Sequence, residues 1–314
     1  MNRLIAVILL TLFTVISWTY NVSAKSPDRK AAYEVFCKAQ KSFESPDGTI
    51  RYIDSGQSER VMVLLHGVPA SGWVYRKMID SLVASGFRVI IPDLLGFGTS
   101  AIPKSDSLYS PGKHAMRLRA LMDALEVLSW THVCHDYGSL VTWELFRQSP
   151  ERINGLVLLN SIIYKEGFRP PVPLKNGLKR KMAMAMYRSR LTNRMMLKQL
   201  FKMGVTEKKV SAETLWGYQA PLLRKRTKGM ANFFANEYNE LPDYSSVVSS
   251  VDVPVLVIWG KTDEMLVWID QSERVVEEMS IPISNVQLVD FKHFIQEENP
   301  AVLCWEISRW LYQD

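Results

Sequence analysis

The stretch Trp130-Thr-His-Val-Cys-His-Asp-Tyr-Gly-Ser139 decides the fold. Trp130 to His135 read as a buried strand and Leu140 to Gln148 as a helix, so the chain turns sharply between them. A strand-to-helix turn that presents a nucleophile needs small residues two before and two after it. Asp136 meets that need, with Cys134 before it and Gly138 after it. Ser139 does not, because Tyr137 and Val141 flank it. The candidate nucleophile is therefore a carboxylate. A lone Asp that only caps the following helix is the plainer reading, and the residues that accompany this one argue against it.

Outward from the turn, strands and helices alternate. Val61 to Leu65, Arg88 to Pro92, Ile153 to Leu159, Val253 to Trp259 and Asn285 to Val289 are short apolar runs of the kind found in buried parallel strands. Ser110 to Leu128 read as a helix, with Pro111 near its first position and Met116, Leu121, Leu125 and Leu128 along it. Glu298 to Tyr312 close the chain as an amphipathic helix. This alternation predicts an α/β protein built on a doubly wound, mostly parallel sheet. A length of 314 residues fits one large domain. With 47% hydrophobic and 22% charged residues, a disordered tail, a collagen-like repeat and a multi-pass membrane protein are excluded. The three cysteines, Cys37, Cys134 and Cys304, are too few for a disulfide scaffold and match no zinc spacing.

Two segments stand apart from the alternation. Met1 to Arg3 are basic, Leu4 to Trp18 are largely apolar, and Val22-Ser23-Ala24 offers the small residues a signal peptidase requires. The apolar run falls short of the ~20 residues of a spanning helix. Residues 1–24 therefore read as an export signal cleaved after Ala24, or else as an uncleaved N-terminal anchor. Either places the protein outside the cytosol, periplasmic or secreted, where a Cys37–Cys304 disulfide becomes possible. The second segment, Ser161 to Ser245, looks helical and carries Met182, Met184, Met186, Met195, Met196, Met203 and Met230, half of the 14 methionines. It holds 17 Lys and Arg against 6 Asp and Glu, while the rest of the chain holds 21 against 26. An insertion after a central strand sits over the strands' C-terminal ends, where ligands bind. Methionine suits an adaptable apolar lining, although packing among helices accounts for most such residues. The basic charge reads as a solvated face or as an attraction to anionic membrane surfaces. Nucleic acid is not implied, since no binding motif accompanies the charge.

A buried nucleophile needs a base, and five histidines compete for that role. His66 opens a turn, His114 starts a helix, His132 lies within a strand, and alternation puts His135 on the opposite side of the strand from Asp136. His293, in Val289-Asp-Phe-Lys-His-Phe294, falls in the loop after the last strand and fits best. Asp263, in Gly260-Lys-Thr-Asp263 just beyond Val253 to Trp259, is the candidate orienting acid. The chain order Asp136, Asp263, His293 is nucleophile, acid, histidine.

These residues resemble the α/β-hydrolase superfamily, and within it the aspartate-nucleophile branch of epoxide hydrolases and haloalkane dehalogenases. The resemblance rests on His66-Gly-Val-Pro69, Pro92-Asp-Leu-Leu-Gly-Phe-Gly-Thr-Ser100, His135-Asp-Tyr-Gly138 and His293-Phe-Ile-Gln-Glu-Glu-Asn-Pro300, in order and correctly spaced. It spans residues 45 to 312, more loosely between 161 and 245. The elbow and Leu95-Gly-Phe-Gly98 also resemble the mesoderm-specific transcript proteins. The resemblance implies a hydrolase core over 25–160 and 246–314, with a helical cap over 161–245 inserted after the sixth strand.

A carboxylate nucleophile restricts the chemistry. Its attack on an ester gives only an anhydride, whereas attack on an sp³ carbon displaces an epoxide oxygen or a halide and leaves an alkyl ester on Asp136. His293, oriented by Asp263, then activates the water that hydrolyses this ester. The backbone N–H groups of Val68 and Tyr137 are the candidate oxyanion hole. The resemblance implies that dehalogenases hold halide with an Asn after the His-Gly and a Trp after the nucleophile, where this chain has Val68 and Tyr137. It implies that epoxide hydrolases protonate the ring oxygen with cap tyrosines. The candidates here are Tyr187 and Tyr218, with Tyr238 and Tyr164 behind them, and Phe234 stands where a second tyrosine usually falls. The reading is an epoxide hydrolase acting on a small apolar substrate. Dehalogenation, another hydrolytic reaction and a non-catalytic binding protein on the same scaffold are the alternatives. No metal or organic cofactor is implied.

Overall fold

A computed structural model describes residues 28–174, 177–206 and 210–312. The signal or anchor expected over 1–24 lies outside the described residues. Eight strands build one sheet: β1 (Lys41–Ser45), β2 (Gly48–Ser55), β3 (Val61–Leu65), β4 (Arg88–Pro92), β5 (Trp130–Asp136), β6 (Ile153–Ser161), β7 (Val255–Gly260) and β8 (Val286–Val289). Their spatial order is β1-β2-β4-β3-β5-β6-β7-β8. β1 and β2 pair antiparallel, β2 meets β4 antiparallel, and every pairing from β4 to β8 is parallel. All residues of β3, β5 and β7 are buried. Because successive side chains point to opposite faces, this burial means that both faces are covered.

The helices longer than four residues, in chain order, are α1 (Ala31–Ala39), α2 (Ile79–Ala84), α3 (Pro111–Ala124), α4 (Gly138–Gln148), α5 (Gly177–Arg188), α6 (Asn193–Gly204), α7 (Ala212–Leu223), α8 (Lys228–Ala235), α9 (Ser272–Glu278) and α10 (Pro300–Leu311). α5 to α8 fall between β6 and β7. They are tied to the sheet at several points. Trp73 donates from Nε1 to the Thr214 carbonyl at 3.3 Å, and Phe294 N–H donates to the Gly204 carbonyl at 2.8 Å. Arg76 bridges from Glu297 (2.5 Å) to the Thr214 hydroxyl (2.9 Å).

One expectation is corrected. The helix begun at Pro111 ends at Ala124, not Leu128, because Glu126 turns into the left-handed region (φ 58°). Leu128 is left 82% exposed, and Met116 lies on the outer face of α3. The pairing of Cys37 and Cys304, a possibility that the sequence leaves open, does not form, and both are free thiols. Cys304 is instead buried against the Met78 carbonyl on the α2 side.

Glu237, just after α8, is 7% exposed, and its Oε2 has no partner among the described residues. Burial pushes its carboxyl up to about 7. The native state thus holds a proton that the unfolded chain releases near 4.5. Stability is full below that value and falls as pH rises toward 7. Glu237→Gln should therefore stabilise the protein by about 1–2 kcal/mol at pH 8 and change little at pH 4, as read by thermal melts at the two pH values.

Candidate active site

β5 ends in the elbow that the sequence indicates. Asp136 sits at its tip with φ +51° and is 8% exposed. A left-handed turn at a non-glycine residue costs of order 1–3 kcal/mol and is held only where surroundings dictate it. Two glycines make the close approach feasible. A Cβ on Gly67 would lie 2.4 Å from the Asp136 Cβ, and a Cβ on Gly138 would lie 2.7 Å from the Leu65 carbonyl oxygen. Beyond Gly67, the Val68 N–H donates to Asp136 Oδ2 at 2.7 Å. The Ser139 hydroxyl lies 2.7 and 2.6 Å from the Asp136 and Ile162 carbonyls, which share its one proton, and fastens the turn.

The loops after β7 and β8 bring the other two residues in. His293 Nδ1 lies 2.8 Å from Asp263 Oδ2, with both side chains almost fully buried. The same oxygen accepts from Asn160 Nδ2 at 2.7 Å, and Asp263 Oδ1 accepts from the Met265 and Leu266 N–H groups at 2.8 and 3.1 Å. Asn160 Oδ1 in turn accepts from the Gly260 N–H at 3.0 Å, so one side chain at the end of β6 locks the acid onto β7.

Burial raises the Asp136 carboxyl, opposed by the charge of His293 and by the N–H groups of Val68 and Tyr137. Burial alone would also raise Asp263, but His293, Asn160 and Met265 N–H hold it below its ordinary value. His293 feels burial downward, and the Asp263 charge and hydrogen bond, with the Asp136 charge, overcome it and raise the imidazole above 6.5. The other four histidines are lowered by burial, His132 and His135 to about 3. His293 is thus the single histidine held in the range useful to a base.

A cavity of about 350 Å³ reaches Asp136 and His293. Its inner part is Val68, Asp136, Met265, Leu266 and His293, and its outer part comes from α5, α6 and the chain around α8, including Met182, Met186, Met196 and Phe234. Three of the seven methionines of this segment therefore line the cavity. Others pack as core, with Met184 and Met230 buried.

The tyrosines divide. Tyr187 and Tyr238 line the cavity. The Tyr187 hydroxyl has no hydrogen-bond partner among the described residues, and burial pushes it up to about 12. The Tyr238 hydroxyl donates to the Val172 carbonyl at 2.9 Å. Tyr218 does not line the cavity, because its hydroxyl is engaged by Glu297 at 3.0 Å beneath Arg76. Tyr164 is likewise committed to Glu278 at 2.6 Å, with Arg274 over its ring. The Tyr137 ring turns away toward the Tyr109 carbonyl, leaving only its N–H at the elbow.

The roles of two residues escaped the sequence reading. Asn160 is the first, and its signal was a lone polar residue closing the apolar run of β6. Asp93 is the second, and it organises the neighbouring loops by accepting from Gly72 N–H, Thr99 N–H and Gln40 Nε2, each at 2.8 Å. His135, a neighbour of the nucleophile on β5, also lies close to the base, with its ring centroid 4.7 Å from that of His293 and Nε2 3.0 Å from the His293 carbonyl. The elbow is the tip of the strand rather than a point on its face, so the loop carrying His293 reaches both sides.

The model of the alpha/beta hydrolase fold family matches residues 60–300, and the chain belongs to that family as an α/β-fold hydrolase. A haloalkane dehalogenase of Mycobacterium marinum (strain ATCC BAA-535 / M) is 28% identical over 85% of this chain and 90% of its own length. One from Psychrobacter cryohalolentis is 36% identical over 135 residues, 40% of this chain and 45% of the relative. Among solved structures, an epoxide hydrolase from Vigna radiata shares the fold at TM-score 0.69 and 22% identity, covering 88% of this chain and 98% of that one. A membrane phospholipase A shares it at TM-score 0.73 and 18% identity, covering 100% and 99%.

The His293 titration checks these electrostatics without a substrate. Asp263→Asn removes the anion that opposes burial, so the imidazole midpoint, followed by NMR, should move from above 6.5 to below it.

Proposed function

We propose that the protein hydrolyses small apolar epoxides through a covalent ester on Asp136. The reading is carried by one juxtaposition: a carboxylate on an elbow and a tyrosine hydroxyl without a partner among the described residues share an apolar cavity with a histidine that a second carboxylate orients. A carboxylate oxygen of Asp136 attacks a ring carbon, the C–O bond of the ring breaks, and the oxygen takes the proton of Tyr187. The product is a hydroxyalkyl ester. A phenol near 12 suits this step, since it stays protonated at neutral pH yet is acidic enough to protonate an alkoxide.

His293 then takes a proton from water, and the hydroxide attacks the ester carbonyl of Asp136. The oxyanion forms where Val68 N–H already donates at 2.7 Å, with Tyr137 N–H beside it. Each such donor is worth about 3 kcal/mol in comparable sites. Collapse breaks the ester bond, frees the diol and restores the Asp136 carboxylate, and the proton on His293 returns through water to Tyr187. Tyr238 serves as a second donor once its bond to the Val172 carbonyl is given up.

Dehalogenation is the second reading, favoured by the names of the relatives. It lacks support at the leaving group, because neither an Asn nor a Trp side chain lines the cavity among the described residues, and a departing halide needs N–H donors.

Turnover of a panel of terminal and internal epoxides beside bromoalkanes tests the reading. Epoxides should be consumed, Asp136→Ala should abolish this, and Tyr187→Phe should lower kcat about a hundredfold. The hydrolytic step requires neutral His293, so its rate should rise with pH as the imidazole loses its proton, with a midpoint below that of the resting protein, where the Asp136 charge also holds that proton. Bromoalkane turnover with no epoxide turnover would give the second reading instead.

A further inference from the structure

The outer surface of the helical insertion combines two properties that rarely coincide by chance. Val172, Leu178, Met182, Leu191 and Met195 are each more than half exposed, all within one short stretch of chain. Lys179, Lys181, Arg190, Arg194, Lys198 and Lys202 surround them and form no ion pair among the described residues. α6 shows how the two are arranged. Leu197 and Phe201 are buried and face inward, whereas Lys198 and Lys202 are exposed on the outside and half-buried Arg194, one turn before Lys198, borders the two faces. Those three cations share a surface groove with Leu191 and Met195. On α5, Lys179 and Met182 are exposed and also line the cavity that reaches Asp136, as does exposed Val172. The cavity mouth therefore carries exposed apolar side chains beside a lysine.

We propose that this face, built from α5, the turn after it and the outer stripe of α6, docks on an anionic lipid bilayer. Long cationic side chains set around protruding Leu and Met side chains match an interface with negative headgroups above an apolar layer. The charge is segregated to suit: the chain from 161 to 245 holds 17 basic against 6 acidic residues, and the remainder is net acidic, 21 against 26. The acidic body is repelled by the same surface that attracts the insertion, which fixes the docked orientation. Docked this way, the mouth faces the bilayer, and an apolar substrate enters from it without crossing water. The docking stands independently of the reaction, and its test reads no turnover.

The test is partition of the full-length protein onto vesicles of phosphatidylcholine with and without phosphatidylglycerol. Wild type should prefer the anionic vesicles and lose that preference at high salt. Each basic residue near an anionic leaflet is worth roughly fivefold in partition, so the triple variant R194Q/K198Q/K202Q should bind anionic vesicles roughly a hundredfold less. Its binding to phosphatidylcholine alone should not change. L191S/M195S should weaken binding to both vesicle types, and circular dichroism should show both variants folded. Equal partition of wild type and R194Q/K198Q/K202Q, or no preference for phosphatidylglycerol, would overturn the proposal. Retention on heparin without that preference would overturn it in favour of a soluble polyanionic partner.

Discussion

The contact between the Val68 N–H and Asp136 Oδ2, at 2.7 Å, is the one on which the rest of the site depends. It exists because β3 and β5 are parallel neighbours that end side by side, with Leu65 opposite Cys134. The chain leaving β3 can approach the tip of β5 only through Gly67, where any side chain would occupy the space of Asp136 itself. The left-handed backbone at Asp136 in turn aims its carboxylate at that loop rather than along the sheet. Cost and function are joined here: the strained turn is what places a carboxylate and an N–H donor at the mouth of the sheet.

The second layer of the account is electrostatic. Two buried carboxylates, Asp136 and Asp263, share one imidazole, and both act to hold its proton. In the proposed reaction, alkylation turns Asp136 from an anion into a neutral ester. One of the two charges that raise His293 then disappears, while burial and Asp263 remain. The imidazole becomes easier to keep neutral at the step where it must accept a proton from water. Asp263 cannot relax in response, because Asn160 and two backbone N–H groups fix both of its oxygens. A change of charge at the nucleophile is therefore felt by the base.

The buried parallel strands were the most legible part of the chain. Val61–Leu65 and Arg88–Pro92 are strands over the residues that the apolar runs indicate, since a strand covered on both faces leaves an uninterrupted signal. The antiparallel pair β1–β2 left none, because β1 is mostly exposed at the sheet edge. The three residues brought together at the elbow were readable from turn chemistry and chain order. What was not readable was which tyrosine hydroxyl stays free. Tyr187 and Tyr218 look alike in sequence, and only the folded chain puts Glu297 against one of them. The same holds for Asn160, whose role depends on the register between β6 and β7.

Intact-protein mass spectrometry of a His293→Gln variant, incubated with the epoxide panel, addresses the central claim most directly. With the base removed, attack by Asp136 should proceed and ester hydrolysis should stall. The account predicts a stable mass increase equal to one epoxide, mapped by peptide analysis to Asp136. A folded variant that still turns over epoxides, or one that accumulates an adduct on any other residue, would contradict it.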